Sequence, residues 1–248
     1  MTLQELNNEF DIHYNSIAGQ SAPNLDAYEK SVFLTKAQLE IIKNYYDPKS
    51  NRKQEGFEHS EKRREDLKEL IKNYSNASGF DNVSKIHLSS RFFNIPEDVF
   101  LIVNEQVKIN SSDCFNNTTI EVKPVTHDEF NKQIQNPFQT PNNSLAWRLD
   151  YSTISNNKVV EIVSPYNVTG SLEYKLRYLK YPKPIILTDL SVAFPSEGLT
   201  IDGETAQSNC ELNESLHREI LDRAIELALR DYKPQNLESK IQLDMRNE

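Results

Sequence analysis

The stretch from residue 211 to residue 232 is the most regular part of the sequence and constrains the fold most strongly. Its apolar residues recur at steps of three and four, which places them on one face of an α-helix. Ser208 and Glu211 have the spacing of a capping box, and Pro234 ends the helical pattern. We therefore expect one long helix over 211–232 whose apolar face must be buried against other elements. That face is formed by Leu212, Leu216, Ile220, Ala224, Leu227 and Ala228.

The first part of the chain supplies helices that can cover this face. One helix is expected over residues 2–17, and a second follows a short turn. Thr35 and Gln38 form a capping box that predicts the start of a third helix, which ends near Asp47. A fourth helix is expected before Gly79, because the apolar residues there lie three or four positions apart, on one helical face. These residues are Leu67, Leu70, Ile71 and Tyr74. We expect the long C-terminal helix to pack against this group.

The middle of the chain changes from a helical to an extended pattern. Short apolar runs and a period of two predict strands that pair mostly antiparallel. Thr126 and Glu129 form a capping box for a short helix between two runs. The fold class is therefore α+β, with a helical region at 1–82, a β-rich region at 83–205, and a helix with an extended arm at 206–248 that belongs with the first region. The expected strands are Val99–Val103, Thr118–Val125, Trp147–Asp150, Val159–Val163, the Tyr/Lys-rich segment 173–184 and Ile185–Leu187.

Residues 233–248 are too polar to form a core of their own. Ile241, Leu243 and Met245 alternate with polar residues, so they share one face of an extended chain. A strand of this kind can add to the edge of a neighbouring subunit's sheet through backbone hydrogen bonds and burial of its apolar face. The alternative is a disordered terminus. We favour an intersubunit arm, because the alternation has no use in a free tail.

The composition excludes several classes of protein. The chain has 248 residues and a net charge of −9 at pH 7, whereas wrapping duplex DNA requires clustered Lys and Arg that displace counterions. No apolar run approaches the roughly 20 residues of a transmembrane helix, and the acidic, amphipathic N-terminus does not resemble a signal peptide. Cys114 and Cys210 are expected to be isolated, reduced thiols, with a disulfide between them as the alternative.

No complete set of catalytic or metal-binding residues is evident in the sequence. Glu214 and His217 lie three positions apart, which places two metal ligands on one helical face. Such sites need a second pair, and no other histidine has a Glu three residues before it. Cys210 adds one thiol, whereas structural zinc sites use four ligands. Phosphate-binding loops and nucleophile elbows are also missing. We therefore predict no catalytic residue, no metal, no cofactor and no enzymatic activity.

The segment 173–184 admits two interpretations. Tyr174, Tyr178 and Tyr181 could stack on bases while interleaved cations contact phosphates, as in proteins that bind single-stranded nucleic acid. These cations are Lys175, Arg177, Lys180 and Lys183. The structural interpretation is a strand whose tyrosines pack in the core and whose cations face water. We favour the second, because the negative net charge opposes nucleic-acid binding. A nucleic-acid-binding accessory protein or an enzyme that uses this strand is the alternative function.

A series of sequence blocks spans nearly the whole chain. The blocks are Y-E-K-S-V-F-L-T-K-A-Q-L-E-I-I-K-N-Y-Y (28–46), P-V-T-H-D-E-F-N-K-Q-I-Q-N-P-F (124–138), A-W-R-L-D-Y (146–151), Y-L-K-Y-P-K-P-I-I-L (178–187), C-E-L-N-E-S-L-H-R-E-I-L-D-R-A-I-E-L-A-L (210–229) and the terminal R-N-E. In this order, the series resembles the head–tail connector or ring proteins of crAss-like tailed bacteriophages, which infect gut Bacteroidetes.

The resemblance implies a non-enzymatic structural protein of the virion neck, assembled in the host cytoplasm. It implies a homo-oligomeric, twelvefold ring between portal and tail, in contact with the portal protein and other neck or tail proteins. Genomic DNA would pass through the ring without sequence-specific binding, and no membrane would be involved. Because R-N-E belongs to the series, Arg246 joins Ile241, Leu243 and Met245 as a candidate interaction residue.

Overall fold

The computed structural model describes residues 1–18, 23–47, 56–82, 84–110, 117–151, 157–165 and 171–232. The chain divides into two units. Unit 1 combines Met1–Leu70 with Pro182–Glu248 and is helical, whereas unit 2, Ile71–Tyr181, is built on a β-sheet. This arrangement confirms the α+β class. Within the described ranges, no helix is long and apolar enough to span a bilayer.

Six α-helices are present in the described residues. They are α1 (Leu3–Ala18), α2 (Ala27–Tyr46), α3 (Glu61–Asp66), α4 (His127–Gln133), α5 (Leu190–Ala193) and α6 (Glu214–Tyr232), together with 3-10 turns at Phe57–His59 and Lys68–Leu70. All belong to unit 1 except α4, which lies in unit 2.

Helix α6 packs against α1 and α2, as its apolar face predicts. Leu216, Ile220 and Ala224 are completely buried on this face. Polar contacts flank the apolar packing: the Tyr45 hydroxyl donates to Glu219 (2.7 Å), and Arg223 forms an ion pair with Glu40 (2.7 Å). The expected packing of the C-terminal helix against the N-terminal helices is therefore confirmed.

The N-terminus of α6 differs from the prediction. The helix begins at Glu214, where the Asn213 side chain accepts a hydrogen bond from the backbone of Ser215 (3.1 Å). Ser208 instead donates to the carbonyl of Pro184, and the Glu211 carboxylate accepts from the backbone of Lys183 (3.1 Å). The predicted capping box is wrong, because both side chains bind the chain segment that precedes α5.

Helix α2 is also longer than expected. It is one continuous helix whose capping box is formed by Asp26 and Glu29, rather than two helices separated at Thr35. Thr35 lies inside it, where its hydroxyl accepts a hydrogen bond from the backbone of Ile185 (3.0 Å). One turn earlier, the Ser31 hydroxyl accepts from the backbone of Leu187 (3.0 Å). These polar side chains of α2 therefore hold the extended segment at 182–187.

The run Ile185–Leu187, predicted to be a strand, does not join the sheet. Ile186 forms an isolated antiparallel bridge with Ser208, and the rest of the run is held by α2. All three residues of the run are buried, which explains their apolar character without a sheet.

Unit 2 contains a curled, mixed sheet of seven strands in the order β1-β7-β3-β4-β5-β6-β2. Every neighbouring pair is antiparallel except β4 and β5, which are parallel and connected through α4. The strands are β1 (Ile71–Asn76), β2 (Ser90–Asn94), β3 (Val99–Asn110), β4 (Thr118–Pro124), β5 (Leu145–Asp150), β6 (Val159–Val163) and β7 (Ser171–Lys180).

Strand β1 replaces the C-terminal half of the predicted fourth helix. The helical spacing of Leu67, Leu70, Ile71 and Tyr74 is real, but α3 ends at Asp66 and a 3-10 turn leads into the strand. Residues 71–76 include two Asn, a Ser and a Tyr, which have modest helix propensity. All six residues pair with β7, so long-range pairing outweighs the local helical spacing.

The inner face of the curled sheet forms the core of unit 2. Alternation along β7 directs Tyr174, Leu176 and Tyr178 inward, where they are buried, and leaves Lys175 and Arg177 on the outer face. Helix α4 covers part of the outer face, with Phe130 packed edge-on against Trp147. As predicted, Thr126 caps this helix by accepting from the backbone of Glu129.

Candidate functional site

The residues considered as metal ligands do not form a site. His217 is buried on α6, where Nε2 donates to the carbonyl of Leu212 (3.1 Å), whereas Glu214 is exposed. Burial also lowers the pKa of His217. Among the described residues, no group of three or more His, Cys, Asp or Glu side chains could hold a metal ion.

Cys210 has the properties of a structural thiol. Burial raises its pKa to about 11, so the sulfur stays protonated at neutral pH and is a weak nucleophile and metal ligand. Cys114, its possible partner in the sequence, lies outside the described residues.

The tyrosines of the 173–184 segment are not arranged to stack on bases. Tyr174 and Tyr178 are buried in the core of unit 2. Tyr181 is partly exposed, but its ring packs edge-on against Phe100 at 5.1 Å. On the outer face, the Arg177 guanidinium donates to the side chain of Asn73 (3.0 Å). These contacts favour the structural interpretation of this strand.

A buried ionic network crosses the interior of unit 2. Arg148 on β5 forms an ion pair with Glu105 on β3 (2.9 Å), and the Tyr174 hydroxyl on β7 donates to the same carboxylate. Burial raises the pKa of Glu105, and the nearby Arg148 charge offsets only part of this effect. Glu105 is only 5% exposed, so its carboxylate is largely shielded from solvent. The role of the network is to link three strands, and no local sequence pattern signals it.

The outer face of β1, β7 and β3 is polar and forms a shallow groove of about 560 Å³. Amide, hydroxyl and charged side chains line it, and the charges are mixed in sign. The Ser75 hydroxyl donates to Glu173 (2.6 Å), and Lys175 lies 3.8 Å from the same carboxylate. The groove therefore lacks the uniform positive charge that a phosphate backbone selects.

Large apolar side chains are exposed at one end of this sheet. Phe138, which precedes β5, is 94% exposed, and Leu88, which precedes β2, is 85% exposed. β5 and β2 flank β6 and run in the same direction, because Val163, the last residue of β6, pairs with Trp147 near the start of β5 and with Ser90, the first residue of β2. The segments that carry Leu88 and Phe138 therefore enter the sheet from the same end, which we call the apolar end (Leu88 and Phe138).

The turn that presents Phe138 is held by hydrogen bonds. The side chain of Asn136 accepts from the backbone of Phe138 (3.1 Å), and its carbonyl accepts from the backbone of Gln139 (2.9 Å). The Thr140 hydroxyl also donates to the carbonyl of Pro137 (3.2 Å). A large aromatic side chain that an ordered turn exposes to solvent is typical of a contact residue at a protein interface. The only sequence signal for this residue is an isolated Phe after Pro in a polar segment.

Charge is distributed unequally between the units. Unit 2 contains eleven Lys and Arg residues and eleven Asp and Glu residues, whereas unit 1 contains 17 and 26. The whole net charge of −9 therefore belongs to unit 1.

The candidate interaction residues of the arm are not tested by the structure. Ile241, Leu243, Met245 and Arg246 lie outside the described residues, which end at Tyr232.

Comparison with known proteins identifies relatives over the full length of the chain. A family model described as phage tail ring protein 3/4 matches residues 1–240. The chain is 38% identical over 255 aligned positions to Ring protein 4/5 of Bacteroides phage crAss001, and the alignment covers 100% of both chains. It is 34% identical over 231 positions to Ring protein 3 of the same phage, covering 92% of this chain and 95% of that protein.

Proposed function

The chain belongs to the phage tail ring protein family, and we propose that it forms a head–tail connector ring in the virion neck, between portal and tail. The observation that carries the proposal is the match to two different ring proteins of one phage, which covers 100% of this chain in one case and 92% in the other. The role is structural and non-enzymatic. The ring is assembled in the host cytoplasm and surrounds the channel through which genomic DNA leaves the head.

The ring consists of copies of this chain, and twelve copies would match a twelvefold portal. A closed ring needs heterologous contacts, in which one surface of each copy binds a different surface of the next. The apolar end is suited to such a contact, because burial of the exposed Leu88 and Phe138 side chains lowers the free energy of the assembly. Other faces of the ring would contact the portal protein and neighbouring neck or tail proteins.

Passing DNA is not bound with sequence specificity. The excess of acidic residues in unit 1 disfavours adhesion of a polyanion. The mixed charges of the groove on the outer face of the sheet also disfavour adhesion of DNA, because they give no uniformly positive surface. A channel wall with these properties lets DNA move without being retained.

Residues 233–248 act as an intersubunit arm, with Ile241, Leu243, Met245 and Arg246 as its contact residues. The segment follows α6 directly, and its alternating pattern is suited to strand addition on a neighbouring copy.

The alternative is a phage-encoded nucleic-acid-binding accessory protein or enzyme that uses the 173–184 segment. The burial of Tyr174 and Tyr178 weighs against it, because their rings cannot reach a base without unfolding of the sheet.

The proposal is tested by mixing the purified chain with the portal protein of its phage. Native mass spectrometry and negative-stain electron microscopy should show annular particles that contain both proteins. The portal is included because a connector subunit can stay monomeric until its template is present. A chain that remains monomeric with the portal and shifts single-stranded DNA on a gel would support the alternative instead.

Substitutions at the apolar end refine this test. Leu88→Ser and Phe138→Ser should each reduce the yield of rings several-fold while the circular dichroism spectrum stays unchanged. The matched control is Val192→Ser, which removes an exposed apolar side chain on α5 of unit 1 and should assemble normally. Normal assembly of both apolar-end variants would exclude this surface from the ring contacts.

A further inference from the structure

Part of the outer face of the unit 2 sheet is polar and open to solvent. Helix α4 covers the part over β5, where Phe130 packs against Trp147. Over β1, β7 and β3 the outward side chains are amides, hydroxyls and charged groups. We call the centre of this open part the amide–cation face; its residues are Asn73, Asn104, Gln106, Lys175 and Arg177. All are exposed, the Lys175 side chain by 42%.

The two cations lie in the middle of this face, with neutral polar groups on both sides. Arg177 of β7 pairs with Asn73 of β1 and with Asn104 of β3. Lys175 has a hydroxyl partner on β1 and an amide partner on β3 in the same way. Because the cations are two residues apart on one strand, they lie roughly 7 Å apart on the same face.

Arg177 is positioned to bind a carboxylate. Its Nε donates to Oδ1 of Asn73 (3.0 Å), which fixes the guanidinium on the face. In the part of the chain that the structure describes, its two terminal nitrogens have no partner. A guanidinium with two free nitrogens binds a carboxylate through two parallel hydrogen bonds. The nearby Glu173 accepts from Ser75 (2.6 Å) and lies 3.8 Å from Lys175, so it offsets Lys175 rather than Arg177.

A complementary acidic surface lies in unit 1. Residues 184–217 contain no Lys or Arg, whereas they contain six Asp and Glu residues. Three of these acids are exposed in the segment 197–204, which we call the acidic loop: Glu197, Asp202 and Glu204. Within the described ranges, their carboxylates form no hydrogen bond or ion pair. The loop therefore offers three carboxylates that are free to bind a cation of another molecule.

A tight turn holds the acidic loop in one shape. Ile201 and Glu204 exchange backbone hydrogen bonds in both directions (3.0 and 2.9 Å). Asp202 and Gly203 between them have positive φ angles of 50° and 85°, as in the two-residue turns of hairpins. Ile201 is buried in the core of unit 1 with Leu190. The turn thus presents Asp202 and Glu204 two positions apart on an anchored loop.

We propose that the amide–cation face of one copy of this chain binds the acidic loop of a second copy. The inference rests on the proposed ring and names two surfaces that meet in it. Carboxylates of the loop bind Arg177 and Lys175, and the flanking amides hydrogen-bond to the backbone of the loop. Because the whole net negative charge lies in unit 1, complementary charge also steers this unit of the second copy toward the face. Each copy carries both surfaces, as a heterologous contact in a closed ring requires.

The face is better suited to a narrow acidic loop than to a nucleic acid. Glu173 on β7 and Glu121, which pairs with Gln106, lie among the cations. A continuous row of phosphates would meet these carboxylates as well as the cations, so it would be repelled along part of its path. Separate carboxylates on one turn can reach Arg177 and Lys175 and avoid the acidic positions.

Charge reversal in rings formed with the portal tests the inference with the full chain. The face variant combines Lys175→Glu with Arg177→Glu, and the loop variant combines Glu197→Lys with Glu204→Lys. Asp202 is left unchanged, because its positive φ angle favours Asp over Lys. A third variant carries all four substitutions, so every contact between its copies again joins opposite charges.

The matched control combines Lys36→Glu with Lys132→Glu. Both positions are exposed and lie outside the two surfaces, and the change in net charge equals that of the face variant. Ring yield is measured by native mass spectrometry, and circular dichroism and the denaturation midpoint show whether each variant is folded. If a reversal variant is unfolded, Arg177→Gln and Glu204→Gln replace it. Each should lower the yield, and the two together should lower it no further than one alone.

Each outcome has a definite meaning. A several-fold loss of rings for the face variant and for the loop variant, with recovery in the combined variant and a normal control, supports the contact. Normal assembly of either reversed variant overturns the contact and leaves the ring proposal intact. Losses without recovery in the combined variant also overturn it, because the two surfaces would then not meet. A DNA gel shift by the wild type that the face variant loses would assign the face to nucleic acid instead. If wild-type chains form no ring with the portal, the proposed function fails and this inference fails with it.

Discussion

The hydroxyl of Tyr178 shows how a single residue couples packing to charge in unit 2. It donates to Asp98 (2.9 Å), which also forms an ion pair with Lys72 (2.7 Å). Burial and the Asp98 carboxylate raise the pKa of Tyr178 to about 12, above its ordinary value of 10.0. Between these two values the folded protein keeps a proton that the unfolded chain has lost.

This difference predicts a loss of stability at alkaline pH. The contribution of Tyr178 is fully present below pH 10.0 and is lost as the pH rises through about 12. Tyr178→Phe should therefore flatten the fall in the free energy of unfolding over this interval, at a cost of about 1 kcal/mol at pH 7 from the lost hydrogen bond. Urea unfolding at a series of pH values measures both effects. Tyr181→Phe controls for removal of a more exposed hydroxyl nearby; an unchanged slope for Tyr178→Phe would contradict the prediction.

Some residue roles could be read from the sequence and others could not. The alternation of Tyr174, Leu176 and Tyr178 correctly placed them on the buried face, because the period of two is a local property. The ion pair between Glu105 and Arg148 joins residues 43 positions apart, so only the pairing of distant strands reveals it. Thr35 misled the interpretation, since its hydroxyl serves a backbone amide 150 positions away rather than the start of a helix.

At the scale of elements, α6 is the part of the fold that the sequence predicted best. Its apolar face is broad and periodic, and the observed helix buries that face against α1 and α2. The sequence did not predict strand β1, because this segment becomes a strand by pairing with β7, about one hundred residues later in the chain. An element whose local sequence pattern specifies its structure is thus predictable. An edge strand whose structure depends on pairing with a distant strand is not.

The packing of α6 makes a direct prediction for stability. Ile220 is completely buried in this interface, so Ile220→Ala should lower the free energy of unfolding by about 2–5 kcal/mol through lost burial and the cavity left behind. Arg218→Ala, at an exposed position on the same helix, should change it by less than about 0.5 kcal/mol. Equal denaturation midpoints for Ile220→Ala and the wild type would show that this face is not part of the core.

At the scale of the whole molecule, the chain combines a helical unit that carries the net negative charge with a neutral sheet unit. The sheet exposes large apolar side chains at its apolar end, a surface that a heterologous contact can use. This surface is not encoded as a motif, because it arises from where the folded sheet leaves side chains uncovered. We propose that it serves ring assembly, in keeping with membership in the ring protein family.

The most direct test of the central claim is a cryo-electron microscopy reconstruction of the neck of the virion that contains this chain. The account predicts a closed ring of twelve copies between portal and tail, surrounding the DNA channel, with the arm of each copy in contact with its neighbour. Density for this fold elsewhere in the particle, or its absence from the virion, would contradict the account.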